Sequence, residues 1–585
     1  MARKDKIDWC AIILIITVFL AYISALSATW VWDDFKLIVN NSFIDSWSNF
    51  LKIFGHNFFV GDNFRAVYYR PVTMAYFFIV KKIFGITPFG FHFFNIVLHI
   101  ANAYLVYRLL SLVLKIKKST AMAISFLFAV HPFQAETVVF VSGASDLLFS
   151  FFGLLAFYYL IKRRFTLSFL FAALSAFSKE TGIMFIVLFI IYLLLIAKQN
   201  KSKITVYAII AVAYIAARVV VIGNVVAPLP PVLHGSVILT LPRIWVNYII
   251  QLFFPFHLAA RYNIEPSRSL NEIPTFLSAL AVLSIVYYCI RNRKQKMVTY
   301  PAVWFALMFL PVSGIVHIPL LKADHFMYLP SIGVFVIAYF IARQIKIKRS
   351  TVRFLFIALS LIFLYTLQGR IHAWSSSENL WKDTIIKEPN FFMGYEDLGI
   401  EYVRQKKYVK AIPLLEHAIN LNYVSEYAHA SLAKAYLELG KDQAAFFELQ
   451  MALKYEKSFS ADNHYYYAKL LLKYGKYREA IPHFINVFSK THEPDALFAL
   501  GQAYLFSKQW ADAEKIFFKG VNLFPAEARF YYQLGVLYYK RKQLNKSILY
   551  FKKAYDAYLP GQAISKAAVL ENIRNIQKRI DNEKK

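Results

Sequence analysis

Apolar runs of near membrane-spanning length recur along the first two-thirds of the chain. They occupy 9–29, 89–114, 120–140, 144–162, 165–178, 181–198, 203–222, 274–291, 299–317, 326–343 and 350–369. Each approaches the roughly 20 apolar residues that a helix needs to cross a bilayer, or the shorter length tolerated inside a bundle. The pattern predicts an all-α, polytopic bundle of about eleven spans. Two further apolar pieces do not fit as spans. The stretch 72–85 is short and carries Lys81-Lys82, and counting 237–257 would put Arg291 to Lys296 on the wrong side. The first run also admits a cleaved signal peptide, with Ala25 and Ser27 suited to a peptidase, although it is long for that role.

Beyond about Phe392 the pattern changes to helical segments of fixed period. Gly399, Ala433, Ala468, Gly501 and Gly535 stand 34, 35, 33 and 34 positions apart. Three residues after each comes Tyr402, Tyr436, Leu471, Tyr504 or Tyr538, and twelve after each comes Ala411, Ala445, Ala480, Ala513 or Ser547. Large apolar residues follow at Leu415, Leu449, Phe484, Phe517 and Phe551. Small residues let one helix approach the next while the large ones fill the groove between neighbours, so stacking is obligatory. The spacing resembles the tetratricopeptide repeat (TPR), an α-solenoid of helix pairs whose concave face takes proteins or peptides. Four segments are expected: a membrane domain over 1–370, a linker over 371–391, five repeats over 392–561, and a capping helix and tail over 562–585.

Charge sharpens the membrane reading. The 585 residues hold 66 Lys and Arg against 35 Asp and Glu, yet 58% of the chain is hydrophobic. Nucleic-acid binders are not so apolar, and nucleic acid is excluded as a partner. Basic residues instead collect in cytoplasmic loops. With Arg3-Lys4 inside, alternate loops carry Lys115–Lys118, Lys162–Arg164, Lys198–Lys203, Arg291–Lys296 and Arg343–Arg349. All six clusters fall on one side, and an odd number of spans then places the repeats outside. Two cysteines, Cys10 and Cys289, both lie within apolar runs, so neither a disulfide framework nor a cysteine metal site is expected.

The remaining loops gather ionisable residues at the outer surface, where a membrane protein seldom keeps them without use. Asp33-Asp34 follow the first span, suited to a base or a cation, or to a plain helix cap. Arg65 and Arg70 suit a phosphate, or simple snorkelling to headgroups. His131 with Glu136, then Asp146, flank an outer turn; Lys179-Glu180 form a charged step in an apolar hairpin; Asp324-His325 open the tenth span. The spacing of His131 and Glu136 is unpersuasive for metal, and a hydrogen-bonded cap is the simpler reading.

Seven segments occur in a telling order: Trp32-Asp33-Asp34; Tyr69-Arg70-Pro71-Val72-Thr73; Pro88-Phe89-Gly90-Phe91-His92 with Asn95 and His99; Ala129-Val130-His131-Pro132 with Glu136; Ser142-Gly143 with Asp146; Ser178-Lys179-Glu180-Thr181; and Ala323-Asp324-His325 with Tyr328-Leu329-Pro330-Ser331. Together they resemble the transmembrane-and-TPR O-mannosyltransferase family and its bacterial relatives, glycosyltransferases of the GT-C fold. The resemblance covers nearly the whole chain. It departs at His325-Phe326, where family members commonly carry Arg-Tyr, which weakens a phosphate role for that position.

The resemblance implies transfer of a sugar, mannose being the best-known cargo, from a polyprenyl-phosphate donor to an acceptor hydroxyl on the extracytoplasmic face. It implies that Asp33 or Asp34, Asp33 first, acts as base while the other orients the acceptor or holds a cation. Arg65, Arg70, Lys179 and His325 would meet the donor phosphate. His131, Glu136, Asp146, Glu180 and Asp324 would position sugar or acceptor. A divalent cation is left open as cofactor, and the repeats would present an acceptor polypeptide or partner. The Lys, Ile and Phe bias fits an AT-rich bacterial source and its inner membrane. Two other functions fit the same chain: a membrane-anchored TPR scaffold without catalysis, and a transporter of lipid-linked substrate.

Overall fold

A computed structural model of the chain describes residues 7–60, 68–197, 201–223, 234–316, 320–345, 347–557 and 566–584; Arg65 lies outside these. The described residues are helical, with no strand, and the chain divides into two compact units, Met1–Gly394 and Tyr395–Lys585.

The first unit runs α1 (Trp9–Tyr22), α2 (Pro71–Phe84), α3 (Pro88–Val113), α4 (Lys118–Val130), α5 (Gln134–Val139), α6 (Ala144–Ile161), α7 (Phe165–Ser178), α8 (Ile183–Ile191), α9 (Lys201–Ile222), α10 (His234–Gln251), α11 (Ile273–Arg291), α12 (Lys296–Phe309), α13 (Pro330–Gln344), α14 (Arg349–Ala373) and α15 (Ser377–Lys387). Among the described residues, seven helical stretches are long and apolar enough to cross a membrane: Trp9–Ser27, Pro88–Val113, Val141–Ile161, Glu180–Ala197, Lys201–Ile222, Ile273–Arg291 and Arg349–Ala373. Lys118–Val130, Phe165–Ser178, Lys296–Val312 and Pro330–Gln344 are apolar but shorter. Each of the eleven apolar runs read from sequence contains one of these helices, seven of them of spanning length. Val237–Gln251 is a further short apolar helix.

Proline sets several lengths. The run 120–140 is not one helix, because Pro132 has no N–H to give and drives His131 to extended backbone (ψ 134°), ending α4. In the run 326–343 the α-helix begins only at Pro330, the first residue of α13, after a 3-10 turn over Asp324–Met327. The helix α10 has both ends against the same set of loops. Near its start Thr240 Oγ1 accepts from the Ser267 N–H at 2.8 Å, and Trp245 Nε1 donates to the Ser313 carbonyl at 2.8 Å. At its finish the Leu252 carbonyl lies 3.2 Å from His131 Nε2. The charged stretch 72–85 is α2, which buries Met74, Phe77 and Phe78. Its Lys81 is satisfied by the carbonyls of Ile38 and Asn41 and by Asp45.

One polar stripe crosses the apolar interior. His92, Asn95, His99 and Asn102 lie on one face of α3 and are all buried. The Tyr328 hydroxyl receives Asn102 Nδ2 at 3.1 Å and lies 2.8 Å from His99 Nδ1, while His99 Nε2 reaches the Ala129 carbonyl at 2.9 Å. A hydrogen-bonded side chain in an apolar bundle joins helices; here it also fixes the start of α13.

The second unit is five helix pairs, from α16 (Phe392–Arg404) and α17 (Tyr408–Leu421), through α18 (Glu426–Glu438) and α19 (Asp442–Lys454), α20 (Ala461–Lys473) and α21 (Tyr477–Thr491), α22 (Pro494–Phe506) and α23 (Trp510–Leu523), to α24 (Ala528–Lys540) and α25 (Leu544–Asp556). A last helix, α26 (Lys566–Lys584), buries Val569 and Ile576 against Phe551. The small positions of the period are where the helices of a pair touch: a Cβ on Gly501 would collide with the Phe517 ring, and one on Gly535 with Phe551. Ser547 substitutes for alanine in the fifth repeat because its hydroxyl donates to the Gly535 carbonyl at 2.7 Å.

Candidate active site

A cavity of about 480 Å³ opens at one end of the first unit. Its polar wall is made by Asp33, Arg70, Glu136, Asp146, Lys179, Glu180, Arg218 and His325, and its apolar wall includes Trp32, Phe58, Tyr68, Phe140 and Tyr214. Six of the residues singled out from sequence as phosphate or sugar contacts therefore share one wall with Asp33. His131, Asp34 and Asp324 do not line it.

The two adjacent aspartates are parted by a strained turn. Trp32 sits at φ +50°, a conformation that costs a bulky residue about 1–3 kcal/mol. Its ring is held by stacking on Phe140 at 5.7 Å, by Trp381 at 5.6 Å, and by the Arg261 guanidinium 4.3 Å from its centroid. From that turn Asp34 points into protein. Its Oδ2 accepts the Val31 N–H at 3.1 Å, and its Oδ1 accepts the Ser142 N–H at 2.9 Å and the Ser142 hydroxyl at 2.7 Å. Burial pushes its carboxyl up to about 7, against the pull of those donors and aided by the neighbouring Asp33 charge. Asp33 faces the cavity instead, and among the described residues no hydrogen bond holds its carboxylate. Burial raises it above the ordinary range, with Lys36 and Arg261 pulling the other way.

Two ion pairs and one hydrogen-bonded histidine–carboxylate pair complete the wall. Arg70 forks onto Glu180, with Nε 2.9 Å from Oε2 and Nη2 2.5 Å from Oε1, and lies 4.6 Å from the Tyr68 ring centroid. Burial opposes the Arg70 charge, but Glu180 more than restores it and holds the guanidinium above its usual range. Lys179 Nζ meets both oxygens of Asp146 at 2.7 and 2.8 Å. His325 Nδ1 lies 2.8 Å from Glu136 Oε1, and the His325 main-chain N–H donates to Glu136 Oε2 at 3.0 Å. The partners come from separate segments, so each pair also pins two segments together.

His131 and Asp324 do framework tasks nearby. His131 is fully buried, accepts the Phe133 N–H on Nδ1 at 3.1 Å, and is pushed down to about 3 by burial, so it is a neutral cap at the break after α4. Asp324 is likewise buried; it accepts from Tyr262 at 2.5 Å and from Arg370 Nη2 at 3.3 Å. Arg370 also reaches the Leu258 carbonyl and Asp383, each at 2.8 Å, tying α14 to α15, to the turn of Asp324 and to the segment after α10.

Sequence reasoning missed Arg218, Arg261 and Arg370. Arg218 is the lone charge in the apolar run 204–222, and an ionisable residue inside a span is by itself a signal. Arg261 and Arg370 offered no such contrast. Among the described residues no group of three His, Cys, Asp or Glu is placed to hold a metal ion.

Comparison with known proteins points one way. Over 431 residues the chain is 26% identical to the "Protein O-mannosyl-transferase F38B6.6" of Caenorhabditis elegans, covering 69% of this chain and 62% of that one. Over 615 residues it is 22% identical to the human "Protein O-mannosyl-transferase TMTC3", covering 90% of this chain and 65% of that one. The chain is similar to transmembrane-and-TPR protein O-mannosyl-transferases. The mouse TMTC3 matches at 21% over 76% of this chain and 54% of its own length, so the chain spans between about half and two-thirds of these relatives. A tetratricopeptide-repeat family model matches residues 468–521. Among solved structures, the TPR protein YrrB, titled as having "an unusual peptide-binding site", aligns at 17% identity and TM-score 0.30 over 31% of this chain and 93% of its own. MamA aligns at 21% identity and TM-score 0.26 over 28% of this chain and 96% of its own.

Proposed function

We propose that the protein is an integral-membrane glycosyltransferase that moves a sugar from a polyprenyl-phosphate donor to an acceptor hydroxyl on protein, in the cavity that Asp33 lines. The observation that carries this reading is the contrast at the Asp33-Asp34 turn: one carboxylate is consumed by three donors, and its neighbour is left open to an enclosed space lined by paired cations and carboxylates. A half-buried carboxylate that faces the cavity with a raised pKa is suited to accept the proton of an attacking hydroxyl. Arg70, Lys179, His325 and Arg218 supply positive charge for the phosphate that leaves. Each of the first three already balances a carboxylate, so an arriving phosphate is received by a wall close to neutral in sum, which orients more than it attracts. Asp146 and Glu180, on the cavity wall, then stand where sugar hydroxyls would need acceptors, and Glu136 acts there through His325.

The lipid has a path. A second, largely apolar cavity of about 240 Å³ is lined by Leu188, Ile191 and Leu195 and by Tyr300, Val303 and Trp304. The polar cavity is lined at its edge by Ile183 and Met184, and by Leu310 and Pro311, from further along the same two helical stretches. A polyprenyl chain laid in the seam between them would bring its phosphate up to Arg70, Lys179 and Arg218. The names of the relatives make mannose the first sugar to try. The positions of the basic loops favour an inner-membrane protein with its N-terminus in the cytoplasm and the cavity and repeats outside. The repeat unit would present the acceptor chain.

The test is turnover by purified full-length protein in lipid vesicles, supplied with radiolabelled polyprenyl-phosphate sugars and a panel of Ser- and Thr-rich peptides. Sugar-dependent release of lipid phosphate is expected. Donor that neither binds nor turns over would overturn the reading and leave a membrane-anchored TPR scaffold.

A further inference from the structure

Glu136 and His325 meet from positions 189 residues apart, and both oxygens of the carboxylate are spent on one residue: Oε1 on the imidazole Nδ1 and Oε2 on the main-chain N–H. A carboxylate only accepts, so Nδ1 carries its hydrogen and the ring presents Nε2 as the atom that can gain or lose a proton. The His325 side chain is 20% exposed and lines the cavity, whereas Glu136 beneath it is 4% exposed. Among the described residues nothing hydrogen-bonds to that Nε2. The turn that carries His325 is itself held from behind, by Tyr328 on the α3 stripe and by Asp324 on Arg370.

Arg70 and Lys179 sit in the same wall as fixed charges, each closed on its carboxylate. An imidazole is different in kind, because it changes charge near neutral pH. We propose that His325, oriented by Glu136, is the acid of the transfer and gives its Nε2 proton to the leaving phosphate oxygen. This rests on the transferase reading above and adds a second proton-transfer group to it.

The step balances. The acceptor oxygen bonds to the anomeric carbon, and the acceptor's proton passes to the Asp33 carboxylate. The bond from that carbon to the phosphate oxygen breaks with both electrons on oxygen, which takes the proton from Nε2. The lipid phosphate leaves as a singly protonated monoester, and the proton on Asp33 returns through solvent to the imidazole. The ionisable groups around the ring are Glu136 on α5, bonded to it, and Asp324 on its own turn, which is in turn faced by Arg370 from α14 and by Lys322; Asp33 lines the same cavity.

The experiment is the pH profile of kcat in reconstituted full-length protein with a polyprenyl-phosphate sugar that the wild type turns over. The wild-type rate is expected to fall toward alkaline pH as the imidazolium is lost. His325→Asn keeps an amide where Nδ1 meets Glu136 but has nothing at Nε2; it should lower kcat by about 10²-fold and abolish the alkaline fall. Glu136→Gln, which removes the charge that favours the imidazolium, should move the alkaline fall to lower pH by about 1 unit. An alkaline limb unchanged in both variants overturns the acid assignment while leaving the transferase standing. If His325→Asn does not fold, an unmoved limb in Glu136→Gln overturns it alone. A wild type without turnover on any donor overturns both readings together.

Discussion

Asp33 and Asp34 are chemically identical and adjacent, and their difference is made by Trp32. The left-handed turn at Trp32, held by Phe140 and Arg261, sends one carboxylate to Ser142 and leaves its neighbour in the cavity. Two outcomes follow at this scale. Ionised Asp33 is the working form of a base, and burial holds its carboxyl above the ordinary range. Turnover should therefore be lost as pH falls, with its midpoint above the roughly 3.9 of a free aspartate. Ser142→Ala takes the side-chain donor from Asp34 and should destabilise the protein by about 1–3 kcal/mol. Because Asp34 is already raised to about 7, the charged form is the costly one, and the fold loses stability as pH rises toward that value. The loss of melting midpoint in Ser142→Ala should then be larger at about pH 8 than at about pH 5; an equal loss at both would contradict it.

At the scale of elements, what could be read from sequence was what is local. A span announces itself by some 20 consecutive apolar residues, and a repeat by its period, so both were legible before any coordinates. The break after α4 was legible in principle, since His131-Pro132 cannot continue a helix. The ion pairs were not legible. Arg70 is 110 residues from Glu180 and His325 is 189 from Glu136, and nothing local in either segment names its partner. The sequence did put Arg70, Glu136, Asp146, Lys179, Glu180 and His325 on one face of the bundle, because loop alternation is a property of the whole chain. It could not separate them from Asp324 and His131, which face protein. The repeat spacing makes its own prediction: Gly501→Ala drives a methyl group into Phe517 and should cost about 1–3 kcal/mol. Pairing it with Phe517→Leu should recover part of that loss in thermal denaturation of the full chain, and no recovery would count against the contact.

For the whole molecule, the account needs the cavity and the repeats on one side of the membrane and the basic loops on the other. Single cysteines at Lys115 and Arg293, with Cys10 and Cys289 replaced, should react with an impermeant maleimide only after the membrane is opened. A cysteine at Ser269 or in the repeat unit should react in intact cells. Labelling of Arg293 and Ser269 from the same side would require α11 not to cross, and would dismantle the topology on which the outward site rests.

The most direct measurement is sugar transfer by Asp33→Asn beside wild type, with binding of the polyprenyl-phosphate donor measured on the same vesicles. The account predicts donor binding within a few-fold of wild type and transfer reduced by about 10²-fold or more. Transfer at the wild-type rate with Asn at position 33 would contradict it, and would leave the open carboxylate of the cavity without the task assigned to it.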